Sequence, residues 1–296
     1  MRTRTPEKRG YRLTAGRKAL LAQGFSIEDI LNNKTTMHIN NTPPSASSAI
    51  TITEPTQQFD INQRFEFLEK IVTMVADGIQ HSAVISGGAG LGKSTLVNKT
   101  LQKNGYTDVS HLDAVDCEGI DKKYRVIKGV SSSKGLYNTL YENRDSIIIF
   151  DDCSGPLTDP KSIDVIKSAT ESSDQRIVSW NIQSRDDSIP TMFRFNGSII
   201  FITNMRPDSI DSAIKSRAMN VDVHMTKNET VERMSHIVCQ GSFLPEYSDT
   251  IKMDALEFIS TNRDKVKNLS LRSLITVAKI RAANDDWYSM AQYMTC

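Results

Sequence analysis

Phe65, Leu68, Val72, Val75 and Ile79 recur at spacings of three and four. That spacing draws one apolar stripe along a helix, predicted to end near Gly78. A short apolar run follows at 83–86, and the pattern then alternates. The predicted order is helix 93–103 closed by Gly105, then strands 109–112, 124–127, 147–150 and 199–203 with helical stretches between them. Short apolar strands separated by helical periods predict an α/β fold, a mostly parallel sheet with helices on both faces. From about residue 226 the strand pattern stops, and helices are expected at 229–238, 254–261 and 271–283. The expected organisation is an α/β domain over 59–225 and a small helical domain over 226–296.

Upstream the pattern weakens. Residues 35–58 are rich in Thr, Ser, Asn and Pro with no helical period, so they read as a linker. Residues 16–23 and 26–31 have the form of two short helices joined by Gly24, with Ser26 as an N-cap. Such a piece suits either a small DNA-binding element or a docking segment for a partner protein.

Composition narrows the class without naming a function. The 296 residues are 39% hydrophobic, 24% charged and 7% aromatic, which excludes wholesale disorder and a fibrous repeat. The longest aliphatic or aromatic runs, 147–150 and 199–202, fall far below the roughly 20 residues of a membrane-spanning helix. The apolar stretch 19–22 is too short for a secretory signal, which needs about 7 residues. No membrane partner and a cytoplasmic location are therefore expected. Cys117, Cys153, Cys239 and Cys296 form no CxxC pair, so reduced thiols are expected rather than disulfides or zinc. The net charge of +1 divides unevenly: the first 18 residues carry +6 and the rest −5. A basic arm of this kind meets an anionic partner such as nucleic acid, or stays a solvated tail.

The candidate chemistry centres on Gly87-Gly88-Ala89-Gly90-Leu91-Gly92-Lys93-Ser94, a full match to GxxxxGK followed by Ser or Thr, between a predicted strand and helix. Glycines let such a loop turn backbone N–H groups toward phosphate oxygens, and the following helix points its positive end at the same anion. The expected nucleotide contacts run from Gly87 through Thr95. Lys93 would reach the β and γ phosphates of ATP, and the Ser94 hydroxyl would ligate Mg²⁺. The apolar run 147–150 delivers Asp151 and Asp152 at its end, where parallel sheets bind ligands. Asp151 would hold the metal, and Asp152 would orient or deprotonate the attacking water.

With both elements in place the chain resembles the AAA+ ATPases over about 60–283. The run Ile199-Ile200-Phe201-Ile202-Thr203-Asn204 is similar to the sensor 1 strand, implying that Asn204 helps place the water. Ala213-Ile214-Lys215-Ser216-Arg217 is similar to the segment carrying the arginine finger, which implies that Arg217 enters a neighbouring subunit's site. Leu269-Ser270-Leu271-Arg272-Ser273-Leu274 resembles sensor 2 in a helical lid, implying an approach of Arg272 to the γ phosphate. The resemblance further implies a homo-oligomeric ring or spiral, of which a hexamer is one form. One departure touches the chemistry: the family usually carries Glu where this chain has Asp152, a side chain one methylene shorter.

The client is less legible. The segments 176–180 and 189–195 flank a polar stretch and predict a β-hairpin ahead of sensor 1, with Arg185 at its tip. The loop 128–134 is polar and basic, and Lys122, Lys123, Arg125, Lys128 and Lys134 would attract phosphates. Together these features favour a DNA-handling ATPase of a bacteriophage or plasmid kind, such as a helicase or helicase loader. A protein remodeller recruiting its client through the N-terminal arm, and an ATP-switched assembly protein that hydrolyses little, are the alternatives.

Overall fold

Every residue of the strand Ser82–Ser86 (β1) is buried, and the same holds for Ile147–Asp151 (β4) and Ser198–Thr203 (β7). Strands apolar on both faces belong in the middle of a covered sheet. The computed structural model describes residues 59–296 apart from 114, 130, 174 and 182–188. It places these strands in a six-stranded sheet with Thr107–Asp108 (β2), Lys123–Lys128 (β3) and Met219–Asp222 (β8). The order is β2-β3-β4-β7-β1-β8, and every pairing is parallel. The described residues form one compact unit. The segment 1–34, the linker 35–58 and the hairpin tip with Arg185 lie outside the described residues.

Side chains that alternate along the strands supply two cores. On one face Ala83, Ile85, Ile149, Ile200 and Ile202 meet helix Ile61–Ala76 (α1) and helix Lys93–Lys103 (α2) through Phe65, Leu68, Val72, Val97 and Leu101. On the other, Val84, Ile148, Phe150, Ile199 and Phe201 meet helix Ser133–Glu142 (α3) and helix Pro160–Ala169 (α5), which follows the short turn of helix Gly155–Thr158 (α4). The second core also takes in Val178 and Phe193 of the antiparallel pair Ile177–Ser179 (β5) and Met192–Arg194 (β6). This pair is the hairpin expected from the sequence. After β7 come the 3₁₀ turn Pro207–Ser209 and helix Ser212–Arg217 (α6).

From residue 227 onward the regular elements are helices: Lys227–Cys239 (α7), Asp249–Thr261 (α8), Leu271–Ala283 (α9) and Trp287–Thr295 (α10), around a third core that includes Met234, Phe258, Ile259, Leu274 and Val277. Thr226 opens α7 with a capping box closed by Glu229, the arrangement that satisfies two end N–H groups at once. Among the described residues no helix is long and apolar enough to cross a membrane.

Four sequence expectations need correction. Ile79 is 66% exposed, because α1 ends at Ala76 and Gly78 turns the chain at φ 71°. The expected strand 109–112 is instead the two-residue strand β2, since Val109 is buried just beyond it but the chain then turns. Strand β8 was not anticipated, because only Val221 within it is buried. Helix α10 was likewise missed, as its apolar residues Met290, Tyr293 and Met294 face outward.

Candidate functional site

The sheet register assembles the site. Strand β7 lies between β4 and β1, pairing Ser86 with Thr203 and Asp151 with Ile202. The residues that follow these strands (Gly87, Asn204 and Asp152) must therefore emerge side by side at the carboxyl edge, with the one from β7 in the centre. Asn204 bridges its neighbours as that order demands: its Oδ1 accepts from Lys93 Nζ at 3.1 Å, and its Nδ2 donates to Asp152 Oδ1 at 2.7 Å.

The loop between β1 and α2 is shaped by glycine. Gly90 and Gly92 have φ of 69° and 87°, a region other residues seldom adopt. At Gly87 an added Cβ would lie 2.6 Å from Val223 Cγ2 and 3.1 Å from the Val223 backbone, so a side chain there has no room. Lys93 folds back over the loop and donates to the carbonyls of Gly87 at 2.8 Å and Gly88 at 2.7 Å. Burial, and secondarily Arg272, pull its ammonium below the usual lysine range against the attraction of Asp152 and Asp151. Leu91 turns into the core and Thr95 is exposed on α2.

One residue further along α2, Ser94 Oγ donates to Asp151 Oδ1 at 2.8 Å, while Lys128 Nζ lies 3.5 Å from Asp151 Oδ2. Among the described residues no cluster of three or more His, Cys, Asp or Glu converges as a metal cage. Ser94 and Asp151 offer a hydroxyl and a carboxylate, both oxygen donors. That set fits Mg²⁺, which takes few protein ligands and completes its shell with water and phosphate. Asp152 holds φ 57°, and its N–H donates to Ile202 O at 2.9 Å. A non-glycine residue held in that region by surrounding bonds is a mark of functional sites. Burial, reinforced by the two carboxylates, pushes the Cys153 thiol up, so it stays protonated.

The helical residues reach the same loop. Leu271 N donates to Gly90 O at 2.9 Å, and Arg272, exposed on the first turn of α9, has its Cγ 3.5 Å from where a Gly90 Cβ would stand. A cleft of about 690 Å³ opens between them, lined by Gly88, Ala89, Leu91, His224, Met225, Leu269, Ser270 and Arg272 among others. Arg217 is not brought to this loop. Its carbonyl accepts from Ser82 Oγ at 2.9 Å, at the start of β1, whereas the loop begins at the strand's far end, about 13 Å away at the usual rise per residue. Its guanidinium donates to Ala213 O at 3.0 Å.

Two features escape the sequence pattern: Lys128 beside Asp151, and the pairing of Asp222 with His224, which lines the cleft. Lys128 stands out in the chain only as one member of a basic run, and nothing in the order Asp-Val-His marks the second.

No family model matches the chain. The chain is 27% identical over 250 residues to an uncharacterized 36.7 kDa protein in the nrdC-mobD intergenic region of Enterobacteria phage T4, a match covering 78% of this chain and 73% of that protein.

Proposed function

We propose that the chain is a P-loop ATPase of the AAA+ kind, with a helical lid, that binds Mg-ATP and hydrolyses it to move or remodel a macromolecule, in a DNA-handling role such as helicase or helicase loader. The carrying observation is the bridge Lys93–Asn204–Asp152 beside the Ser94–Asp151 bond, which ties the first turn of α2 to adjacent strand ends at the carboxyl edge of a parallel sheet. That edge is where open α/β sheets bind ligands.

Each residue has a task in this reading. Glycine-loop N–H groups and the positive end of α2 bind the phosphates. Lys93 exchanges its loop carbonyls for β and γ oxygens, a replacement of neutral partners by charged ones. Mg²⁺, held by Ser94 and through Asp151, would neutralise charge on the phosphates. Asp152 takes or orients the proton of the attacking water, and Asn204 fixes the direction of that carboxylate. Arg272 approaches from the lid. Arg217, remote from its own loop, suits delivery to a neighbouring copy in a ring or spiral.

The bacteriophage relative fits a phage-type factor. The basic residues of β3 and its following loop suit nucleic acid as the client. A second reading, an ATP-switched assembly protein with slow turnover, draws on Asp152, whose short carboxylate is already committed to Asn204. The test is Mg-ATP binding and steady-state hydrolysis, with and without single-stranded and duplex DNA at two salt concentrations. Binding abolished by Lys93→Ala and salt-sensitive stimulation by DNA support the reading. Undiminished Mg-ATP affinity in Lys93→Ala overturns the site. Turnover that ignores DNA moves the client to protein, and nucleotide-dependent oligomers without turnover favour the switch.

A further inference from the structure

Asp222 ends β8 and His224 follows two residues later, on the wall of the same cleft, and none of the steps above uses them. Val223 packs directly against Gly87, which sets residue 224 beside the first residue of the glycine loop. His224 lines the cleft together with Met225, Leu269 and Ser270. The volume of about 690 Å³ is within the range of sites for small organic ligands.

The imidazole is held in one orientation. Asp222 Oδ1 accepts from His224 Nδ1 at 2.6 Å and from the His224 backbone N–H at 2.9 Å, with Ser86 Oγ at 3.4 Å. A carboxylate can only accept, so Nδ1 carries the ring proton, and in the neutral imidazole Nε2 is an acceptor. The backbone is pinned as well: the buried Arg64 donates from Nη1 to His224 O at 2.8 Å and from Nη2 to Glu229. A side chain fixed from both ends is arranged before any ligand arrives, and such preorganisation lowers the cost of binding.

We propose that His224 reads the base of the bound nucleotide, accepting a hydrogen bond from an exocyclic amine through Nε2, so that the cleft selects adenine over guanine nucleotides. This rests on the nucleotide reading above. Phosphates on the glycine loop direct the rest of the molecule into the cleft, where Met225, Val266 and Met294 offer apolar surface to a flat ring. Adenine then presents a donor where guanine presents a carbonyl oxygen. Two facing acceptors leave both unpaired, and an unmade buried hydrogen bond costs more than a made one gains.

The test is calorimetric titration of the full chain with Mg-ADP and Mg-GDP at about pH 8. Diphosphates report the base preference without turnover. Wild type should bind ADP tighter than GDP by about 10-fold or more, as one hydrogen bond made against one left unpaired implies. His224→Ala should weaken ADP by about 5-fold and bring the ratio near one. His224→Gln, whose amide offers both a donor and an acceptor, should keep ADP and admit GDP, and it decides the matter if His224→Ala fails to fold. A wild type that does not discriminate, or an ADP to GDP ratio unchanged in the folded variants, overturns the role of His224 while leaving the nucleotide site standing. Failure of wild type to bind either nucleotide overturns both.

Discussion

Replacing Lys93 by methionine separates what this side chain does for the fold from what it does for a ligand. Methionine preserves the length and most of the volume of the buried stem while removing the ammonium. Three hydrogen bonds are lost, to Gly87 O, Gly88 O and Asn204 Oδ1, each worth about 1 kcal/mol net. Against this, the variant no longer buries a charge, and the lowered pKa of Lys93 says that the folded chain disfavours the charged form overall, chiefly through burial. The two effects oppose, so Lys93→Met without ligand should stay within about 1 kcal/mol of wild type, a shift of roughly 2–4 °C in Tm for a unit this size. Nucleotide binding should respond differently. Charge-assisted bonds to two phosphate groups are worth about 1.5–3 kcal/mol each, so affinity should fall by about 100-fold or more. The pH dependence has a definite sign. The unfolded chain holds the Lys93 proton more tightly than the folded one, so stability from this group rises with pH as the lysine range is approached. Wild type should therefore gain on Lys93→Met as pH rises toward about 10. Thermal denaturation across pH, paired with Mg-ATP titration, checks both halves. A loss of several kcal/mol in the unliganded variant with affinity intact would refute the reasoning.

Three further outcomes are expected. Gly197→Ala would put a Cβ 2.2 Å from Ser146 O, a backbone atom at the amino end of the sheet; it should destabilise by at least about 1–3 kcal/mol, more than Gly87→Ala does in the same denaturation assay. Arg217→Ala should leave nucleotide affinity nearly unchanged while cutting turnover by about 10³-fold, and unchanged turnover in an assembled oligomer would remove Arg217 from that role. Asp152→Glu, which lengthens the carboxylate toward the residue usual in the AAA+ ATPases that the sequence resembles, should raise steady-state turnover by several-fold; a fall would show that the bond from Asn204 cannot follow the longer side chain.

What the sequence reveals depends on how locally each feature is determined. Helix α2 and the loop before it are legible residue by residue, because their glycines, lysine and serine are contiguous. Strands β4 and β7 are legible from apolar runs that only a covered central strand requires. Strand β8 is not, since an edge position needs only Val221 inside, and one buried residue in four makes no period. The same holds for α10, where Ala291 and Thr295 turn inward while larger apolar side chains face outward. In the site, the approach of Ser94 to Asp151 spans 57 residues and follows from strand order, which a motif implies but does not measure. His224 needed still more: Val223 against Gly87, Asp222 two residues back and Arg64 158 or more residues away.

The bond from Leu271 N to Gly90 O has a spectroscopic consequence. It ties one peptide group of the helical residues to the glycine loop, so the Leu271 amide proton can exchange with solvent only when loop and helix part. Cooperative units in a fold are recognised by such shared opening. That single amide is a built-in gauge of loop position, readable by hydrogen exchange on the unlabelled protein while every side chain in the site stays as it is.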